Sequence, residues 1–154
     1  MAATVYLAGH GESALGRKDW SIAAYGGDGA AVVKKLDLTR VILIGHSMGG
    51  DVIAEAARQL LGRVAGMIFV DVYKQLGSGR RPESVQSRQM PHTLDELKLP
   101  VIAITPDNAP TDVPSMRQHG VEVVIMPGVG HFSFLENPER FNGLLRSAIV
   151  KLAQ

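Results

Sequence analysis

Cysteine is absent from this 154-residue chain, which excludes disulfides, thiolate metal sites and a cysteine nucleophile. Aromatic side chains make up only 5% of the residues, and no apolar run approaches the roughly 20 residues of a membrane span. The first residues lack a basic flank and a long apolar stretch, so no export signal is expected. Net charge is +1, with the basic residues scattered, which argues against a nucleic-acid surface. We therefore expect one soluble, cytoplasmic domain over residues 1–154.

Apolar side chains, 45% of the total, suffice for one hydrophobic core. Short β-branched runs alternate with segments of helical periodicity, which predicts an α/β fold: a minimal doubly wound, mostly parallel sheet of about five strands flanked by helices. Residues 75–91 are polar and irregular, and we expect them to form a surface excursion. The five predicted strands are residues 5–8, 41–45, 67–72, 101–105 and 121–126.

Besides the helix that follows residues 45–49, three helices flank these strands in the prediction. One covers about residues 21–36, although its glycines each cost about 1 kcal/mol relative to alanine. Thr93 and Glu96 have the spacing of a capping box and predict a short helix before the strand at 101–105. The last helix should begin with Asn137 as N-cap and Pro138 at the first helical position.

Residues 41–50, VILIGHSMGG, combine a strand pattern, a Gly-x-Ser-x-Gly motif and the start of a helix. The pattern predicts a nucleophile elbow, a tight turn that exposes the hydroxyl of Ser47 to a base. Gly45 and Gly49 would leave room for the close chain segments, and the Met48 N–H would face a developing oxyanion. The bare motif arises by chance roughly once in ten such chains, so its context carries the prediction. In the alternative, Ser47 only caps the helix.

Further motifs follow one another along the chain in this order: LAGHGES, residues 20–25, GHSMGG, LPVIAITPDNAP and PGVGHFSFLENPERF. Over nearly its whole length the chain resembles the α/β-hydrolase superfamily, esterase-like serine hydrolases in particular. The resemblance implies that His131, on the loop after the last strand, is the base that activates Ser47. His46 is expected to pack beside the site, His10 lies in the first loop, and His92 and His119 are expected at the surface.

The carboxylate that orients the base has more than one candidate. The resemblance favours the loop after the strand ending at Thr105, where Asp107 ranks first and Asp112 last. However, the usual register, with the acid just before the proline, falls on Ala109. Asp71, at the end of the preceding strand, ranks second because some superfamily members carry their acid there.

The chain also departs from the resemblance. It lacks three N-terminal strands and a cap domain, for which residues 75–91 would be the replacement. An empty slot beside the elbow strand would expose unpaired backbone, so we expect residues 5–8 to fill it as a strand. That would bring the Gly11 or Glu12 N–H to the oxyanion hole. Alternatively, a homodimer covers this edge.

The expected function is a serine carboxylester hydrolase that acts on small or short-acyl esters through an acyl-enzyme, without cofactor or metal. A thioesterase, lactonase or perhydrolase would use the same residues. The alternative is a catalytically degenerate scaffold that serves as a small-molecule binding or interaction module. A nucleotide-binding protein is disfavoured because no glycine-rich phosphate motif follows a predicted strand.

Overall fold

The computed structural model of the chain describes residues 2–13, 15–72, 90–108 and 111–154. In these ranges four strands form one parallel sheet in the order β1-β2-β3-β4. The α/β prediction is thereby confirmed, with four strands described where about five were expected. Of the predicted surface excursion, residues 75–89 lie outside the described residues. The strands are β1 (Val41–His46), β2 (Val64–Val70), β3 (Val101–Pro106) and β4 (Val121–Met126).

Helices cover both faces of the sheet. Successive side chains of a strand point to opposite faces, so Met67 and Phe69 of β2 enter one core, and Ile68 and Val70 enter the other. The first core lies under α1 to α4, and the second under α6. The helices are α1 (Ile22–Lys35), α2 (Met48–Gln59), α3 (Met90–Leu97), α4 (Val113–Gln118), α5 (Ser133–Glu136) and α6 (Pro138–Leu152).

Helix α1 forms as predicted despite its glycines. Ser21 caps it, accepting a 3.2 Å hydrogen bond from the Ala24 N–H. A Cβ on Gly26 would lie 2.6 Å from Glu55 Cγ and 3.0 Å from the Ala56 nitrogen of α2. The missing side chain thus allows α1 to pack closely on α2, and this contact offsets the low helix propensity of glycine.

The predicted strand at residues 5–8 is wrong, because this segment is irregular and pairs with no strand of the sheet. Two of its carbonyls have local partners: the Ser13 hydroxyl donates to the Tyr6 carbonyl at 2.7 Å, and the His10 N–H donates to the Leu7 carbonyl at 2.9 Å. Strand β1 therefore has one neighbouring strand in the described part of the chain, and Ile44 stays 45% exposed.

Two further predictions concern helix starts. Asn137 caps α6 as expected, since its side chain accepts from the Arg140 N–H at 3.1 Å and Pro138 follows. Thr93 is not a cap: it lies buried inside α3, which already includes Met90. The capping-box spacing was misleading because residues 90–92 continue the helix. None of the described helices is long and apolar enough to cross a membrane.

Candidate active site

Ser47 lies in the sharp turn between β1 and α2. Its backbone has φ 53° and ψ −122°, a conformation that costs a non-glycine residue about 1–3 kcal/mol. The surrounding sheet holds it there, since the Ser47 N–H donates to the Val70 carbonyl at 3.0 Å. The side chain makes no capping hydrogen bond to α2. The alternative that Ser47 serves only as a helix cap therefore has no support in this geometry.

The glycines around Ser47 differ in how much space a side chain would have. A Cβ on Gly45 would lie 2.5 Å from the carbonyl carbon of Gly49 and 2.8 Å from the Gly50 nitrogen, so only glycine fits. A Cβ on Gly49 would meet no described atom within 4 Å, which corrects the expectation that this position needs glycine. Gly50, which the sequence analysis missed, is crowded instead, because a Cβ there would lie 2.8 Å from Val72 Cγ1.

His131 follows β4 on a short glycine-containing loop, and its ring is paired with Asp71. The distance from His131 Nδ1 to Asp71 Oδ2 is 2.5 Å. The Asp71 side chain is fully buried, whereas that of His131 is 28% exposed. A carboxylate only accepts hydrogen bonds, so we assign the proton of neutral His131 to Nδ1. Nε2 then carries the lone pair that a general base needs.

The carboxyl ends of the strands bring these groups to one edge of the sheet. The Ser47 N–H binds the carbonyl of Val70, and the next residue, Asp71, donates its own N–H to Ile104 at 2.9 Å. His46, which directly precedes Ser47, lies beside the His131 ring in a tilted arrangement with 4.5 Å between centroids. Ser47, Asp71 and His131 therefore lie at the carboxyl edge of the sheet, where ligands bind in open parallel sheets.

Asp107 and Asp112, the other candidate acids, have different contacts. Asp107 Oδ1 accepts from the Gly128 N–H at 3.1 Å, and Asp112 caps α4 through the Ser115 N–H at 3.0 Å. The described contacts thus place Asp71 on His131, although the sequence analysis ranked Asp107 first. The position of Asp71 directly after β2 was the signal that identified it as a candidate.

Three hydrogen bonds from separate elements hold the loop that carries His131. Asp107 binds Gly128, Glu136 Oε2 accepts from the Gly130 N–H at 2.8 Å, and His46 Nε2 lies 2.9 Å from the His131 carbonyl oxygen. His46 packs beside the site as expected, whereas its hydrogen bond and the contribution of Glu136 were not predicted. Both hydrogen bonds join groups on different segments, and no sequence spacing indicates them.

Met48 is the first residue of α2, where a backbone N–H has no acceptor within the helix. Its side chain packs against a small cluster that Leu7 and Ala8 also contact. The N-terminal segment therefore approaches the first turn of α2 even though it forms no strand. Gly11 follows in this loop with φ 53°, and the Tyr6 ring covers its α-carbon.

The other histidines lie in local contacts. His10 Nδ1 is 3.1 Å from the Ala8 carbonyl, His119 Nδ1 is 2.9 Å from Asp95, and His92 Nδ1 is 3.4 Å from Glu96. In the ranges the structure covers, no group of three or more histidine, aspartate or glutamate side chains could hold a metal ion.

The sequence matches the family described as alpha/beta hydrolase fold over residues 7–120, well over half of the chain. The chain belongs to the α/β-hydrolase family. Uncharacterized proteins of Mycobacterium tuberculosis and Mycobacterium bovis are 41% identical to this hydrolase-fold chain over 64 residues. The match covers 42% of this chain and 19% of those relatives, so it spans about a fifth of their length.

Solved structures agree on the fold of this α/β-hydrolase chain. An esterase from Thermogutta terrifontis has a TM-score of 0.80 at 20% identity, covering 96% of this chain and 79% of the esterase. An E-2-(acetamidomethylene)succinate hydrolase has a TM-score of 0.76 at 16% identity, over 93% and 79% of the two chains. An enzyme described as degrading N-acyl homoserine lactones has a TM-score of 0.74 at 20% identity, covering 92% of this chain and 80% of that enzyme.

Proposed function

We propose that this α/β-hydrolase chain is a serine carboxylester hydrolase that acts on small or short-acyl esters through an acyl-enzyme. One observation carries the proposal: the buried Asp71 holds the His131 ring at 2.5 Å, at the edge of the sheet where the strained Ser47 directly precedes α2. A structural serine needs neither this backbone strain nor an adjacent carboxylate–imidazole pair.

In the proposed reaction, Ser47 Oγ attacks the ester carbonyl while His131 Nε2 accepts its proton. The Asp71 carboxylate stabilises the resulting imidazolium, and its complete burial keeps water from screening that interaction. The tetrahedral intermediate collapses, and the alcohol leaves with the proton from His131. Water, activated by the same imidazole, then hydrolyses the acyl–serine ester and restores Ser47.

The Met48 N–H is the first proposed donor to the oxyanion, because it begins α2 directly after the nucleophile. Gly11 is the second proposed donor, supported by the packing of Leu7 and Ala8 beside Met48. Because residues 75–91 would replace the cap domain of the family, we expect a shallow site, which suits short acyl groups. The structural neighbours include an esterase and an enzyme described as degrading N-acyl homoserine lactones, which supports an ester as the substrate class.

The first test compares Ser47→Ala with the unmodified chain on p-nitrophenyl acetate and butyrate. Ser47→Ala should abolish hydrolysis without loss of helical circular dichroism. The matched control is Ser147→Ala, because Ser147 is exposed on α6 and its hydroxyl donates only to the Gly143 carbonyl in the described contacts. Hydrolysis that persists in Ser47→Ala would contradict the proposal.

The alternative, a degenerate scaffold that binds small molecules, is favoured by one observation. Gly11 lies on an irregular segment, so no strand pairing fixes its N–H toward the elbow. A fluorophosphonate probe separates the two functions, because only an activated serine reacts readily with it. We expect labelling of the unmodified chain and of Ser147→Ala, and none of Ser47→Ala. A folded protein that resists the probe would favour the binding module.

A further inference from the structure

His46 links the nucleophile turn to the loop of the base. It directly precedes Ser47, and its Nε2 lies 2.9 Å from the carbonyl oxygen of His131. A carbonyl oxygen only accepts hydrogen bonds, so Nε2 of His46 carries a hydrogen and donates it. The two imidazole rings are also in tilted contact, with 4.5 Å between centroids and 40° between planes.

Two phenylalanines hold the His46 ring in this orientation. Phe134 meets it edge-on at 5.1 Å and 84°, and Phe132 lies 5.6 Å away. Phe132 also contacts the His131 ring at 5.1 Å. The polar N–H of His46 is therefore presented to the His131 carbonyl from a fixed aromatic cluster.

The proposed chemistry needs this link because Asp71 alone does not fix His131. Asp71 sets the tautomer and one side of the ring, whereas the loop that carries the ring contains Gly128 with φ 77° and Gly130. Asp107 and Glu136 hold the N–H groups of these two glycines, and the His46 hydrogen bond extends that support to the carbonyl of His131 itself. A misplacement of about 1 Å between reacting groups costs on the order of 100-fold in rate.

We propose that His46 is a positioning residue, which fixes the distance between Ser47 and His131 by hydrogen bonding to the backbone of the base. The inference rests on the proposed function, in which Ser47 is the nucleophile and His131 the base. It requires the Nε2–H of His46 specifically, and a ring of the same size without that donor does not replace it.

Three variants of His46 test the donor separately from the ring. His46→Phe keeps the ring and removes the donor, whereas His46→Gln keeps an N–H near the position of Nε2. His46→Asn is matched to His46→Gln but is one methylene shorter, so its amide does not reach the His131 carbonyl. The control is His119→Phe, which removes a histidine paired with Asp95 on the surface.

With p-nitrophenyl acetate, kcat should fall on the order of 100-fold in His46→Phe and His46→Asn, with KM unchanged. His46→Gln should recover most of kcat, and His119→Phe should match the unmodified chain. Full kcat in His46→Phe overturns the inference, and so does a glutamine variant no faster than the asparagine one. If His46→Phe fails to fold, the Gln and Asn pair decides by the same criterion.

A spectroscopic comparison distinguishes failure of this inference from failure of the proposed function. The Nδ1 proton of His131, shared with Asp71, should give a far-downfield NMR signal in the unmodified chain and in Ser47→Ala. In His46→Phe it should broaden or shift, and in His46→Gln it should return. An unchanged signal in His46→Phe overturns the inference, whatever the activity of Ser47→Ala. Activity that persists in Ser47→Ala overturns the proposed function instead.

Discussion

Replacing Asp71 by asparagine tests which carboxylate orients His131. The change keeps the shape of the side chain and removes its charge. Asp71 Oδ1 is buried without a hydrogen-bond partner among the described residues, so nothing there selects the orientation of an asparagine amide. The amide can turn its NH₂ toward His131 Nδ1, which then becomes the acceptor, and the proton moves to Nε2. In that tautomer His131 cannot accept the proton of Ser47.

The expected loss is large. In Ser-His-Asp enzymes the corresponding change lowers kcat about 10⁴-fold, which corresponds to about 5.4 kcal/mol of transition-state stabilisation. We expect a loss of this order here because the Asp71 side chain is fully buried and its oxygen lies 2.5 Å from the imidazole. Little of the interaction is screened by solvent in such a site.

Asp107→Asn is the matched control. Asp107 Oδ1 accepts from the Gly128 N–H, and the carbonyl oxygen of asparagine can accept the same hydrogen bond. The change from a charged to a neutral acceptor should cost about 1 kcal/mol, which corresponds to a fall in kcat of about 5-fold. Initial rates with p-nitrophenyl acetate give kcat, and thermal unfolding reports on the fold. A 10⁴-fold loss in Asp107→Asn with an active Asp71→Asn would refute the assignment of Asp71.

Stability and assembly give three further predictions. Gly45→Ala should lower the free energy of unfolding by about 3 kcal/mol, because its Cβ meets the α2 backbone. Gly49→Ala should leave the free energy of unfolding unchanged or raise it by up to about 1 kcal/mol. Urea unfolding measures both variants. Asn137→Ala removes the cap of α6 and should cost about 1 kcal/mol, or about 2–4 °C in Tm by calorimetry, and an unchanged Tm would contradict the capping role. If a second copy covers the β1 edge, light scattering should give twice the chain mass, and Ile44→Lys should give a monomer.

Local sequence signals predicted the elements of this α/β hydrolase well. Asn137 and Pro138 begin α6 because both act on the backbone within one helical turn. The strand, turn and helix around Ser47 also depend on neighbouring residues, which is why the elbow could be predicted from a ten-residue pattern. The same reasoning failed for Thr93, whose capping signal lies inside a helix that includes Met90.

Residues 5–8 show the limit of such signals. Their apolar pattern predicts a strand, but the segment does not pair with the edge of β1, and local hydrogen bonds satisfy the carbonyls of Tyr6 and Leu7 instead. The glycines of α1 weaken the local signal for a helix that nevertheless forms as predicted. Their low propensity disfavours a helix, yet Gly26 is where α1 packs against α2.

The sequence by itself determined the parallel α/β architecture, the sharp turn at Ser47 and the loop that carries His131, because periodicity, caps and turns act over a few residues. Only the tertiary structure decided that Asp71 meets His131, that Asp107 supports the loop instead, and that His46 reaches the His131 backbone. Those contacts join residues far apart in the chain, and strand order and packing set their distances.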